Sequence, residues 1–165
     1  DLEGLVKKIQ QFEGTTDWIV REFFLNDNLA ELVEDISKKN HKNSFLYVFT
    51  ADLPEAIYTK YKAFNSNDLK ISKINSYDES KTKCLYVGSG KNCKSRLSQH
   101  LGITARSNGT YSLHLKKVLG NKANKIKFCI YVLPIGRDVD PSVMQVFEDS
   151  LWKILSPCFG KLGGK

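Results

Sequence analysis

"CLYVGSGKNCKSRLSQH", Cys84 to His100, decides how this chain is read. Leu85 to Val87 is an apolar, aromatic and β-branched run that reads as a strand, and Gly88-Ser89-Gly90 follows as a turn. Asn92 then caps a helix that stops at Gly102. A strand, a glycine turn with a lysine and a helix suggest a phosphate cradle, so two nucleotide motifs are tested first. A G-x-x-x-x-G-K-[ST] loop needs a glycine where Leu85 stands and a hydroxyl where Asn92 stands. A dinucleotide G-x-G-x-x-G fails at Cys93. Neither nucleotide site is expected.

The charge pattern points to a polyanion all the same. Residues 1–80 hold 10 Lys and Arg against 14 Asp and Glu, whereas residues 81–137 hold 12 Lys and Arg and no carboxylate. Such clustering costs self-repulsion and creates a positive potential, so nucleic acid is the expected partner rather than a merely solvated basic face. With 165 residues and 41% hydrophobic content, the chain is long enough for one domain with a real core. It carries no charged-then-apolar leader and no apolar run of membrane-span length, so a soluble, cytoplasmic protein is expected. Cys84, Cys93, Cys129 and Cys158 show no metal-site spacing and read as reduced core thiols.

Helical periodicity is expected in "LEGLVKKIQQF", in "TTDWIVREFFL" and in "NLAELVEDISKK", forming an N-terminal helical extension over residues 1–43. Trp18, Phe23, Phe24 and Leu25 would pack it on the remainder. "SFLYVFT" from Ser44 is a buried strand, Pro54 opens a short helix, and Asn65 to Lys83 is an irregular, mobile excursion. Residues 52–82 are thus an insert within a second unit, 44–165. After the strand and helix of the quoted stretch come a helix over "TYSLHLKKVLG", a strand over "KIKFCIYVLP" ending at Pro134, and a helix from Pro141. The expected class is α/β (α+β), a small sheet of about three strands flanked by helices.

Several polar side chains stand where chemistry is possible. Glu148 lies at the border of an apolar helix stripe, where a carboxylate is costly unless paired with a base or bound to a cation. Arg96 and His100 are four apart and share a helix face, either a solvated one or one that grips an anion. Tyr47 and Tyr86 alternate with apolar neighbours, as core tyrosines also do. His114 falls among leucines and reads as a satisfied, partly buried histidine.

The order "FLY" (Phe45 to Tyr47), "LYVG" (Leu85 to Gly88), Arg96, His100, Glu148 and Pro157 resembles the GIY-YIG nuclease family over residues 44 to about 161. "YVGSGKN…R…H" is closest to phage intron-homing nucleases, and excision-repair and restriction enzymes share the order. The chain departs from the family in having "FLY" for the first motif, a longer interval before the second, and Gly160 where an asparagine is usual. The resemblance implies that Tyr47 and Tyr86 point into a site and orient or deprotonate a water. The nearby cations would lower a phenol pKa for that role. It further implies that Arg96 and His100 handle the phosphate and that Glu148 holds Mg²⁺ (or Mn²⁺), with Lys91 as helper. Lys91, Lys94, Arg106, Tyr111, Lys116 and Lys117 would contact DNA. The expected activity is metal-dependent DNA endonuclease, the alternative a non-catalytic nucleic-acid-binding module on the same fold. A polyanion-binding or protein-interaction domain is a third reading.

Overall fold

A computed structural model describes residues 17–65, 68–80, 82–104 and 110–163. The helix expected over "LEGLVKKIQQF" and the side chain of Arg106 lie outside them. Four strands, β1 (Ile19–Phe23), β2 (Ser44–Ala51), β3 (Cys84–Gly90) and β4 (Phe128–Gly136), form one antiparallel sheet in the order β1-β4-β2-β3. Five α-helices surround it among the described residues: α1 (Leu29–Asn40), α2 (Pro54–Ala63), α3 (Cys93–Leu101), α4 (Leu115–Leu119) and α5 (Pro141–Leu155). The class is α+β, as expected, with one strand more than expected.

The additional strand comes from "TTDWIVREFFL", which is not a helix. Ile19 to Phe23 pair with Val132 to Phe128, and Phe23 stacks on Phe128 with ring centroids 5.5 Å apart. The local spacing of apolar residues fits a helix, but Ile19 and Val20 are β-branched and the open edge of β4 is available. Pairing with that edge gives the backbone of this segment hydrogen-bond partners in place of those a helix would supply. Residues 19–23 therefore belong to the same sheet as the quoted stretch.

β2 is central and buried at nearly every position. Phe45, Tyr47 and Phe49 face one core with α1, α3 and α4, while Leu46 and Val48 face the other under Met144, Phe147 and Leu151 of α5. A strand covered on both faces reads as a continuous apolar run, which is why "SFLYVFT" was legible. α1 begins at Asn28, whose side chain accepts from the Glu31 N–H at 3.2 Å. α3 begins at Asn92, accepting from the Ser95 N–H at 3.0 Å, and stops at Gly102 with φ +76°. α5 begins at Asp140 with Pro141 in its first turn.

Two expected boundaries move. The helix over "TYSLHLKKVLG" is confined to α4, because Ser112 bridges to Ile71 and the helix starts only after His114. His114 itself has φ +50°. β4 does not stop at Pro134 but continues to Gly136, with a register shift in its pairing to β2 beside that proline, which has no N–H to offer.

The described residues between Asn65 and Lys83 are irregular, but the backbone of residues 72–75 is tied down. Ser72 N–H donates to Ser112 O at 3.0 Å, Asn75 N–H to Cys158 O at 2.8 Å, and Gly160 N–H to Lys73 O at 2.8 Å. Residues 158–159 donate in turn to Cys84 O and Leu85 O at 3.0 and 2.9 Å. The edge of β3 is covered at its start and open from Tyr86 onward. Replacing Phe23 by Ala should cost about 3–5 kcal/mol in urea unfolding, whereas Val20→Ala on the same strand should stay within about 1 kcal/mol. Equal effects would contradict β1.

Candidate active site

The open part of β3 looks into a cavity of about 1050 Å³. Tyr47, Tyr86, Arg96 and Glu148 all line it, as do Lys91 and Tyr111. Four segments bring them together: β2 carries Tyr47, β3 carries Tyr86, α3 carries Arg96 and α5 carries Glu148.

Tyr47 is fully buried at the base. Arg96 donates from Nε to its hydroxyl oxygen at 3.0 Å. His100 Nε2 lies 2.9 Å from the same oxygen. Leu113 N–H donates to His100 Nδ1 at 3.2 Å, so Nδ1 is bare and the neutral ring carries its hydrogen on Nε2, which donates to Tyr47. Burial keeps His100 well below the ordinary histidine pKa, and Arg96 adds to that. His100 was expected to handle the phosphate together with Arg96. It lies instead behind the phenols, fully buried, with its ring centroid 4.5 Å from that of Tyr86.

The phenol rings of Tyr47 and Tyr86 stack at 6.0 Å and 16°. The Tyr47 pKa is not lowered, contrary to the expectation from the nearby cations. Burial pushes it well above the ordinary tyrosine value and Tyr86 adds to this, while Arg96 only opposes. Two donors already point at its oxygen, so Tyr47 has its own proton to give.

Arg96 does not present an empty fork. Nη1 donates to Gln99 Oε1 at 3.0 Å and to Ser112 Oγ at 2.9 Å; Nη2 donates to Tyr86 Oη at 3.3 Å and to Tyr111 O at 3.1 Å. With Tyr47, these contacts use all five N–H groups of a guanidinium. A phosphate would take Nη2, whose two bonds to Tyr86 and Tyr111 are the longest at the fork's outer end.

Glu148 is half-buried, and Ser89 Oγ donates to its Oε2 at 2.6 Å. Burial raises its carboxyl pKa, opposed chiefly by the Ser89 hydrogen bond. Among the described residues no cluster of three or more metal-ligating side chains occurs. A single oriented carboxylate nonetheless suits Mg²⁺, which keeps most of its waters and is commonly held by one or two carboxylates together with substrate phosphates.

The remaining expected residues divide. Lys94 forms an ion pair with Glu34 on α1, and neither it nor Lys116 and Lys117 lines the cavity. Lys117 donates instead to Thr104 O at 2.9 Å. His114, expected to be partly buried and satisfied, is fully buried; Nε2 lies 3.2 Å from both Lys70 O and Thr110 O, while Nδ1 has no hydrogen-bond partner. Ser72, Lys73, Ser89 and Lys161 line the cavity and were not read from the sequence. Ser89 sits inside the quoted stretch, two positions before Lys91, where strand alternation places it on the α5 side, away from Gly88.

Two glycines are required by these contacts. A Cβ on Gly88 would lie 2.3 Å from the Tyr47 hydroxyl oxygen. Gly160 has φ +104°, and a Cβ there would come 3.1 Å from the Tyr86 ring. The position that resembles the family's asparagine thus admits glycine on conformational grounds. An amide still serves this corner: Asn75 Nδ2 donates to Pro157 O at 3.1 Å and to Gly160 O at 3.0 Å.

No protein-family model, curated protein or solved structure matches the chain.

Two measurements check this geometry. Gly88→Ala should destabilise the protein by about 1–3 kcal/mol, since the clash is with a phenol that cannot swing away. In a carbon-13 NMR titration, the Glu148 carboxyl should have its midpoint above the ordinary value of 4.5, and Ser89→Ala should move it higher still. A midpoint unmoved by that substitution contradicts the role given to Ser89.

Proposed function

We propose that the protein is a divalent-metal-dependent DNA endonuclease of the GIY-YIG type, acting in the cytoplasm. The observation that carries this reading is the convergence of Tyr47, Tyr86, Arg96 and Glu148 on one cavity that also holds Lys73, Lys91 and Lys161. These residues are far apart in sequence, and the resemblance requires that they meet. The cytoplasmic reading is supported by four free cysteines, and no helix among the described residues is long and apolar enough to cross a membrane.

Hydrolysis of a phosphodiester needs a placed water, neutralisation of charge growing at phosphorus, and a proton for the leaving 3′ oxygen. Mg²⁺ or Mn²⁺ held by Glu148 would supply Lewis acidity toward the phosphate oxygens. Ser89 holds that carboxylate in orientation. Tyr47, with its oxygen fixed by Arg96 and His100, directs a hydroxyl rather than a phenolate into the site, and so orients water or a phosphate oxygen. Arg96 keeps its charge although burial works against it, and it stabilises the additional negative charge electrostatically. Lys91 is the cation on the turn able to serve the leaving oxygen. Tyr111 is 62% exposed at the rim, with the Lys70 ammonium 5.6 Å from its ring centroid. Such an exposed aromatic is suited to stacking against a base. His100 is here a positioning residue, acting through Tyr47.

The saturated guanidinium and the raised Tyr47 pKa favour a second reading, a non-catalytic DNA-binding module. One experiment separates the two. Supercoiled plasmid with Mg²⁺ or Mn²⁺ should be nicked by the wild type, not in EDTA, and at least about 10³-fold more slowly by Glu148→Gln. That variant should still retard DNA in a gel. A gel shift by the wild type without nicking would favour the binding module, and cleavage undiminished in Glu148→Gln would remove the metal assignment.

A further inference from the structure

One wall of the cavity is built by Ile71, Ser72 and Lys73, a segment to which the mechanism above gives no part. Ser72 is 4% exposed, and its hydroxyl is buried with no hydrogen-bond partner. The backbone around it is fixed. Ser72 N–H donates to Ser112 O at 3.0 Å, Ser112 N–H to Lys70 O at 3.2 Å, and Gly160 N–H to Lys73 O at 2.8 Å. Six buried side-chain polar atoms among the described residues lack a hydrogen-bond partner, and Ser72 Oγ is the one whose residue lines this cavity, so a bound group could relieve the cost of leaving it unpaired.

Charge on this wall agrees with an anionic use. Lys73 and Lys161 are exposed on the same cavity, and among the described residues neither forms an ion pair with a carboxylate. Glu148 is the one carboxylate among the described residues lining the cavity, and it accepts from Ser89. The volume of about 1050 Å³ is also more than a single phosphate group occupies.

We infer that Ser72 and Lys73 form a second phosphodiester subsite. Ser72, by a turn about its Cα–Cβ bond, donates its hydroxyl hydrogen to a non-bridging oxygen of a phosphate neighbouring the one that faces Arg96, and Lys73 supplies the charge. The inference rests on the DNA-binding part of the proposed function but not on cleavage. It also gives the insert a role in binding. Residues 70–75 carry the contact, and their pairing with residues 112 and 158–160 holds that contact at a fixed distance from Arg96.

The test is fluorescence anisotropy of a labelled DNA duplex titrated with the full chain in EDTA, over a series of salt concentrations. Lys73→Ala should flatten the slope of log affinity against log salt by about 0.9. Ser72→Ala should weaken binding about tenfold with the slope kept, as expected for loss of a neutral donor to a charged oxygen. Lys153→Ala, outside the cavity, should change neither. Duplexes carrying one methylphosphonate at a time add a positional readout. The wild type should lose affinity at particular phosphates, and Lys73→Ala should become insensitive at one of these positions alone. Thermal melting identifies any variant that fails to fold, and Lys73→Glu, exposed like the native side chain, is a second variant for the charge. Wild-type binding with slope, affinity and positional pattern unchanged in these variants overturns the subsite and leaves the nuclease reading standing. Absence of salt-dependent binding by the wild type overturns both. Binding that depends on Lys73 without any nicking upholds the subsite and overturns only the cleavage.

Discussion

The Tyr47 hydroxyl holds the site together. It sits on the central strand, takes a hydrogen from Arg96 and a hydrogen from His100, and so joins β2 to two successive turns of α3. Because it is buried, these bonds are made without competition from water, and losing a partner would leave a costly unpaired group. The other contacts follow from that placement. Gly88 has to lack a side chain because the phenol lies across it. Tyr86 stacks on the same ring, and Arg96 reaches past it to hold Ser112 and Tyr111. Even the histidine tautomer is set from behind, by the backbone of Leu113.

The cavity divides its charge unevenly. The guanidinium is committed to protein acceptors, so it contributes a fixed positive potential rather than a vacant hand. The lysines lie nearer the mouth. Glu148 is oriented by Ser89 from the opposite face of the sheet, and the two halves meet only past the open edge of β3. A sheet edge is ordinarily a hazard, to be blunted by charge or covered. Here the chain covers the beginning of that edge with residues 158–159 and leaves the rest for the cavity.

Much of this was legible in the residues, for identifiable reasons. The caps Asn28, Asn92 and Asp140 and the stops at Gly102 and Pro157 act locally, and local signals fixed α1, α3 and α5 well. The doubly buried β2 announced itself as an unbroken apolar run. β1 was not legible, because what makes it a strand is the waiting edge of β4, more than a hundred residues away, and not its own spacing. The end of β4 was missed for a related reason, since a proline beside a register shift costs no hydrogen bond. At the candidate site, the resemblance carried by Tyr47, Tyr86, Arg96 and Glu148 implied that they meet, and they line one cavity. The intervals could not say that His100 faces inward, because Arg96 and His100 share a helix face whether that face is wet or dry. Nor could they pair Lys94 with Glu34. Ser72 and Lys73 carried no signal in a polar, irregular stretch.

The three-layered pairing of Cys84–Leu85 with Cys158–Phe159, and of these with Lys73–Asn75, has a bearing on how the molecule is made. During synthesis, the phenols, the guanidinium and the carboxylate are all available once α5 has emerged. The outer wall must wait for residues 158–160, because the stretch at 73–75 has nothing to pair with until they arrive. A chain caught between those two moments would have these side chains in place around an unwalled hollow. Closure of the cavity is then decided by a short segment that leaves the ribosome after every one of those groups.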